Sequence, residues 1–93
     1  MTGSFSVFNQ PALILFDSGA SHSFISHKFS ANCQLPFCHT RGSFMITTLG
    51  GKVATNQLNQ NVPIQLGSKI VKTTLLILGM DNVDIILGAN WMT

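Results

Sequence analysis

The most informative segment of the sequence is Leu13-Ile14-Leu15-Phe16-Asp17-Ser18-Gly19-Ala20-Ser21, in which an apolar run ends abruptly at an acid. A continuous apolar run bounded by a proline and a glycine is typical of a fully buried strand. Such a strand delivers Asp17 to the edge of a core and into a tight turn. The chain has only three acidic residues, Asp17, Asp81 and Asp84, so we interpret an acid in this position as a functional group.

Length and composition predict a single domain over residues 1–93. Hydrophobic residues make up 45% of the chain and charged residues only 9%. A charge content this low fits a chain that covers part of its surface with a partner. The basic residues are scattered and form no basic–aromatic stripe, so we expect no nucleic-acid binding. They are Lys28, Arg41, Lys52, Lys69 and Lys72.

The sequence also predicts no membrane association. The apolar stretch from Leu75 to Leu78 is far too short to span a bilayer. The N-terminus lacks the basic region and the long apolar run of a signal peptide, so we expect a cytoplasmic location. In that setting Cys33 and Cys38 are expected to be free thiols.

Alternation and turn signals divide the chain into about seven short strands, which predicts an all-β class. The predicted strands cover residues 4–8, 12–16, 43–48, 53–58, 61–66, 70–78 and 83–87. Gly50-Gly51 and Gly67-Ser68 mark turns between strands. Residues 22–32 predict a short helix or an irregular turn with Ser21 or Ser23 as its cap. A further helix or turn is expected to begin at Gly88.

A carboxylate at the end of a buried strand can accept N–H bonds from its turn and act as a general base toward water. The chain supplies no second acid in a matching context, but a two-fold axis near Asp17 would bring a second copy of Asp17 beside it. Two carboxyl groups within hydrogen-bond reach of each other share one proton, so one can serve as base while the other serves as acid. A buried acid that only caps its turn is the structural alternative.

Two motifs resemble those of a known family. Phe16-Asp17-Ser18-Gly19-Ala20-Ser21, followed by Asp84-Ile85-Ile86-Leu87-Gly88-Ala89-Asn90-Trp91 with a glycine hairpin between them, resembles the retropepsins. Residues 17–26 are especially similar to the protease domain of gypsy-class long-terminal-repeat retrotransposons. The resemblance covers nearly the whole chain. It implies a small closed all-β acid-protease barrel with one short C-terminal helix, assembled as a homodimer and working without a cofactor or a metal.

The resemblance implies a role for each matching position. Asp17 would be the catalytic aspartate, Ser18 would bond across the dimer axis, and Gly19 would accept from the substrate backbone. We call residues 17–21 the active loop. The remaining substrate contacts would come from this loop, from a flap over residues 46–54 and from the last strand, namely Ala20, Ser21, Thr48, Leu49, Gly50, Gly51 and Ile86. Ile86, Leu87 and Gly88 would pack under the active loop.

The implied activity is that of an aspartic endopeptidase in which a water is activated between two Asp17 carboxylates. Its substrate would be an extended peptide within a Gag-Pol-type polyprotein, processed in the cytoplasm or within virus-like particles. In retroviral members the position of Ser21 is usually acidic and pairs with a base at that of Ala89, and this chain lacks both charges. The alternative is a catalytically silent retropepsin-like module for dimerisation or peptide binding.

A third interpretation, a zinc-dependent binding module, rests on five residues of metal-ligand type, His22, His27, Cys33, Cys38 and His39. Their spacing matches no common zinc pattern, so we favour ordinary surface histidines and partly buried cysteines.

The remaining conspicuous residues have structural interpretations. Asp81 and Asp84 are expected to be solvated loop acids. Trp91 is expected to be either an interface anchor or a core residue. Four phenylalanines, Phe5, Phe8, Phe37 and Phe44, are expected to pack in the core or at an interface.

Overall fold

The computed structural model describes residues 2–7, 10–17, 19–20, 22–48, 51–80 and 82–89. These residues form seven strands and one helix, which confirms the all-β class. In chain order they are β1 (Thr2–Val7), β2 (Gln10–Phe16), β3 (Phe24–Ser26), α1 (His27–Asn32), β4 (Cys38–Thr48), β5 (Gly51–Leu66), β6 (Lys69–Leu78) and β7 (Ile85–Leu87).

The strands close into a barrel. Their order in the sheet is β1-β2-β7-β3-β6-β5-β4, and β1 also pairs with β5 where Ser6 lies opposite Gln65. Six strands therefore form a closed ring, and β4 extends from it as an outer strand paired with β5. The pairs β2–β7 and β3–β6 are parallel, which brings the ends of β2 and β7 to the same edge of the barrel.

The core has two apolar clusters, one on each face of the central strands. Because successive side chains of a strand point to opposite faces, Leu75 and Ile77 of β6 lie in the barrel interior with Ile14, Ile25 and Ile85. The alternate β6 residues belong to a second group, which we call the outer cluster. It consists of buried Phe24, Leu76 and Leu78 with partly buried Ala20, Ile46, Leu58, Met80 and Ile86 packed against them.

The two strands predicted over residues 53–58 and 61–66 are one strand, β5, of 16 residues. Its pairing with β6 shifts register between Asn59 and Val62, and Asn61 has a φ of 53°. A bulge of this kind bends a strand without ending it. Buried Asn59 anchors the bend, since its side chain accepts from Ser30 Oγ at 2.8 Å and donates to Pro36 O at 3.0 Å.

The segment predicted as a helix or irregular turn begins with a strand that was not predicted. β3 pairs Phe24 with both Leu76 and Ile86 and runs to Ser26, so α1 begins only at His27. Ser26 caps α1 instead, accepting Phe29 N–H at 3.0 Å, and the prediction of Ser21 or Ser23 as cap is therefore wrong. The predicted C-terminal helix lies outside the described residues except for Gly88 and Ala89.

The hairpin turns agree with the glycine signals where the structure describes them. Leu66 pairs with Lys69 around Gly67, whose φ of 64° suits glycine. Thr48 pairs with Gly51, whereas Leu49 and Gly50 lie outside the described residues. In the described part of the chain, no helix is long and apolar enough to cross a membrane.

Candidate active site

Asp17 directly follows β2 and is exposed. Its N–H donates to Leu87 O at 2.9 Å, which extends the parallel β2–β7 pairing by one residue. Its carbonyl accepts Ala20 N–H at 3.1 Å, and its Oδ1 accepts Gly19 N–H at 3.0 Å. β2 thus carries an exposed carboxyl group whose direction is set by hydrogen bonds of its own turn. Ala12 and Ile14 of β2 are buried, but Leu13 is 43% exposed, so the prediction of a fully buried strand is wrong.

Gly19 lies close to this carboxyl group. A Cβ atom at position 19 would be 3.3 Å from Asp17 Oδ1, closer than most such contacts. Glycine therefore lets the backbone N–H reach the carboxylate without crowding it. This geometry agrees with the predicted involvement of Gly19 in the site, although its role toward substrate remains a prediction.

The loop after Asp17 rests on the end of β7. Gly88 N–H donates to Ser23 Oγ at 3.0 Å, and Ala89 N–H donates to Ala20 O at 2.8 Å. A Cβ atom at Gly88 would lie 2.6 Å from Ala20 O and closer still to His22 O. Only glycine permits so close an approach of two backbone segments. Leu87 and Gly88 thus lie against the loop.

An apolar surface borders the loop. Ala20 and Ile86 are partly buried against Phe24, Leu76 and Leu78 of the outer cluster, as is Ile46 of β4. The rings of His22 and Phe44 also meet edge to face, with centroids 5.5 Å apart, and so join the loop to the strand that leads toward the predicted flap. Half-buried apolar side chains beside an exposed acid are suited to contact an apolar peptide side chain.

The structure brings together only part of the predicted site. Asp17, Gly19, Ala20, Ile86, Leu87 and Gly88 share one edge of the barrel. Thr48 and Gly51 pair with each other at the end of the β4–β5 hairpin. Four predicted site residues, Ser18, Ser21, Leu49 and Gly50, lie outside the described residues, as do Asp81 and Trp91.

The prediction that Asp84 is a solvated loop acid is wrong. Asp84 is half-buried, and its Oδ2 accepts Leu13 N–H at 2.9 Å. Its backbone N–H donates to Leu13 O at 2.9 Å, and its carbonyl accepts Ser26 N–H at 2.8 Å. Because its partner lies 71 positions away, no local pattern in the sequence could have indicated this contact.

Ser23 was considered in the sequence only as a helix cap. It is 1% exposed, and its hydroxyl lies between the active loop and β7. A serine just before a short apolar segment carries no signal for such a contact, because its partner, Gly88, is 65 positions away.

The five histidines and cysteines considered as metal ligands do not form a cluster. Among the described residues, no group of three or more His, Cys, Asp or Glu side chains could hold a metal ion. Cys33 and Cys38 are both free. Burial, and secondarily the Asp84 carboxylate, raises the pKa of the Cys33 thiol, which disfavours the thiolate.

The predicted placement of the aromatic residues is only partly testable. Phe37 is 55% exposed and Phe44 is 38% exposed, so neither is a core residue, and an interface role for them stays a prediction. The side chain of Phe5 and all of Phe8 lie outside the described residues.

Comparisons with known proteins agree with this arrangement. Residues 1–93 match the family model described as retroviral aspartyl protease. Among solved structures, the EIAV protease complexed with the inhibitor HBY-793 is similar, with a TM-score of 0.75 and 23% sequence identity over 97% of this chain and 82% of that chain. This likeness shows the fold, a retropepsin-like barrel. No curated protein matches the chain. The chain belongs to the retroviral aspartyl protease family and is an aspartic endopeptidase.

Proposed function

We propose that two copies of this chain form one endopeptidase, in which the Asp17 carboxyl groups meet across a two-fold axis. The observation that carries the proposal is the exposed Asp17 carboxyl group, held by its own turn directly after β2. Orienting an acid so firmly at a surface is useful when a second group faces it from outside the chain.

No second acid within the described chain is placed to be that group. The sequence has three acids, and the Asp84 carboxylate accepts Leu13 N–H in the middle of β2, four residues before Asp17. Asp81 lies outside the described residues. Two surface cavities of about 210 and 450 Å³ are lined by other residues and do not include Asp17. A symmetric partner supplies the missing acid with no further sequence requirement.

The proposed reaction follows from two carboxyl groups that share one proton. The ionised carboxylate takes a proton from a water, whose oxygen bonds to the carbonyl carbon of the peptide. The protonated carboxyl group donates its proton to the carbonyl oxygen, which would otherwise gain a full negative charge. When the C–N bond breaks, the leaving nitrogen receives the proton that the first carboxylate took from the water. A hydroxyl group of the intermediate returns its proton to the second carboxylate, and the new carboxyl group keeps the oxygen of the water.

The substrate would bind as an extended peptide along the barrel edge. Gly19 would accept a hydrogen bond from its backbone through its carbonyl oxygen, with Ser18 bonding across the dimer axis. Apolar side chains of the peptide would contact Ala20 and Ile86, which the outer cluster leaves partly exposed. Residues 46–54, including Thr48, Leu49, Gly50 and Gly51, would close over the peptide and exclude water. An extended peptide added in this way is recognised mainly through its backbone.

The natural substrate in this proposal is a polyprotein of Gag-Pol type that contains the protease itself. Similarity of residues 17–26 to gypsy-class elements supports this assignment and a location in the cytoplasm or in virus-like particles. Both stay predictions.

The test is cleavage of a mixed peptide library by the wild-type chain and by the Asp17→Asn variant, with products identified by mass spectrometry. Because asparagine keeps the size and one acceptor oxygen of the aspartate, we expect unchanged circular dichroism and thermal unfolding. Loss of a general acid–base pair should lower cleavage by at least about 10²-fold.

Two outcomes would contradict the proposal. Cleavage by Asp17→Asn at a rate close to that of the wild type would remove Asp17 from the mechanism. A wild-type chain that binds library peptides but releases no products, at concentrations where it sediments as a dimer, would support the silent binding module instead.

A further inference from the structure

We propose that Ser23 is a positioning residue for the Asp17 carboxyl group, acting through a hydrogen bond to Gly88. The inference rests on the proposed function, since it assigns a further residue to that reaction. The Ser23 hydroxyl accepts Gly88 N–H and thereby determines how closely the active loop is held to the end of β7.

Three consecutive residues, 87–89, each make a hydrogen bond to a different residue of segment 17–23. Leu87 O accepts Asp17 N–H at 2.9 Å, and Ala89 N–H donates to Ala20 O at 2.8 Å. Between them, Gly88 N–H donates to Ser23 Oγ at 3.0 Å. The middle bond is the only one of these three that a side chain makes. It is therefore the one connection among them that a single substitution removes without altering the backbone.

Ser23 is itself held in a fixed position. Its side chain is 1% exposed, and its carbonyl accepts Leu76 N–H at 2.9 Å. The next residue, Phe24, pairs with β6 on one side and with β7 on the other. The hydroxyl thus projects from a rigid part of the barrel, which is what a positioning residue requires.

The backbones of Gly88 and Ala20 lie so close together that a small shift of either one changes their contact. A Cβ atom at Gly88 would lie 2.6 Å from Ala20 O, so the two backbones are already in contact. Without the hydroxyl, the buried Gly88 N–H loses its hydrogen-bond acceptor. We therefore expect residues 87–89 to shift to a position in which this N–H reaches another acceptor. Leu87 moves with Gly88, and Asp17 N–H is bonded to Leu87.

A small shift of this kind affects the chemistry more than the binding of substrate. The two carboxyl groups must stay within hydrogen-bond reach of each other and of the water, and misplacement by about 1 Å can cost about 10²-fold in rate. Substrate binding is distributed over many contacts along an extended peptide. Loss of the Ser23 hydroxyl should therefore lower kcat while changing KM much less.

The test compares Ser23→Ala with Ser30→Ala in the full chain. Ser30 is a matched control, because it is also buried, at 6% exposed, and its hydroxyl also makes one buried hydrogen bond, to Asn59 Oδ1 at 2.8 Å. That bond connects α1 to β5 and does not involve the active loop. Both variants and the wild type are assayed on one cleaved peptide, with functional sites counted by titration with pepstatin.

We expect Ser23→Ala to lower kcat per titrated site by about tenfold or more, with KM within about threefold of the wild type. Ser30→Ala should keep the wild-type kcat, although both variants lose some thermal stability. Ser23→Thr, which retains a hydroxyl, should restore most of the kcat.

Equal kcat values per titrated site for Ser23→Ala and Ser30→Ala would overturn the inference alone, provided that Asp17→Asn abolishes cleavage. Absence of Asp17-dependent cleavage by the wild type would overturn the proposed function and this inference with it. If Ser23→Ala does not fold, Ser23→Cys replaces it, since a thiol is a weaker acceptor of similar shape. A wild-type kcat for Ser23→Cys would then contradict the role of the hydroxyl.

Discussion

Two aspartates contact β2 in opposite situations. At the middle of the strand, the Asp84 carboxylate accepts Leu13 N–H at 2.9 Å, and the Asp84 backbone bonds to both Leu13 and Ser26. At its end, Asp17 is exposed, and its carboxylate accepts Gly19 N–H at 3.0 Å within the same turn. An acid shared between distant segments is a structural connection. An acid oriented by its own turn remains available to a second molecule.

The difference arises from what each carboxylate does for the backbone. Asp84 satisfies an N–H group of β2 and at the same time connects β2 to the start of α1. The Asp17 contact satisfies only the N–H of Gly19, two residues later. We therefore expect the two acids to differ in which property responds when each is changed.

The largest expected effect is a reversal of phenotype between Asp17→Asn and Asp84→Asn. Both substitutions remove one charge and keep one acceptor oxygen. We expect Asp17→Asn to lose cleavage by at least about 10²-fold, because a general acid–base group is gone. Asp84→Asn should keep cleavage per folded dimer within about twofold, because its amide oxygen still accepts Leu13 N–H. Peptide cleavage assays normalised by pepstatin titration distinguish the two, and a similar loss in both variants would break the comparison.

The next largest effect concerns the glycine on which the active loop rests. Gly88→Ala would place a methyl group 2.6 Å from Ala20 O. Because Ala20 O is a backbone atom, the backbone of one of the two segments would have to move to relieve this clash. We expect a loss of about 3 kcal/mol or more in the free energy of unfolding, measured with urea. Gly79→Ala is the matched control, because a Cβ atom there meets nothing within 4 Å. Its stability should change by about 1 kcal/mol or less. Equal effects at the two glycines would contradict the close packing of the loop on β7.

A smaller effect on the free energy of unfolding distinguishes the contribution of the Asp84 hydrogen bond from that of the Asp84 charge. Asp84→Ala leaves Leu13 N–H without its partner, which should cost about 1 kcal/mol of unfolding free energy at this half-buried site. Asp84→Asn should cost less, because it keeps an acceptor. Urea denaturation of both variants measures the difference. If Asp84→Ala is as stable as the wild type, Asp84 is not the structural acid that the comparison requires.

The smallest effect is a pH dependence that reports on the Asp84 region. The pKa of the Cys33 thiol is raised by burial first and by the Asp84 carboxylate second. Its contribution to stability is therefore fully present below the ordinary thiol pKa and is lost as pH rises through the higher pKa of the folded chain. We expect the unfolding free energy to fall more steeply between about pH 8 and 10 in the wild type than in Cys33→Ala. Identical slopes would contradict this.

The sequence predicted the part of the site that local chemistry determines. The apolar run ending at Asp17 indicated a strand that carries an acid, and Gly67 indicated a turn that its positive φ confirms. The likeness of the two motifs to retropepsins predicted that Leu87 and Gly88 lie against the active loop. In each case the residues that determine the structure are adjacent in the chain or belong to a recurrent motif.

Features that depend on distant partners were missed. β3 has only three residues, and its apolar side chains also fit the helical spacing that continues into α1, so the strand was absorbed into a predicted helix. β5 was divided because the bulge at Asn61 interrupts its alternation. The contacts of Asp84 with Leu13 and of Ser23 with Gly88 span 71 and 65 positions and leave no local pattern.

The most direct measurement of the central claim is the activity of mixtures of wild-type and Asp17→Asn chains, refolded together at constant total concentration. If each functional site needs one intact Asp17 from each of two chains, activity follows the square of the wild-type fraction. An equal mixture then retains about one quarter of the wild-type activity. Activity that falls linearly, to about one half in the equal mixture, would show that one chain suffices and would contradict the account.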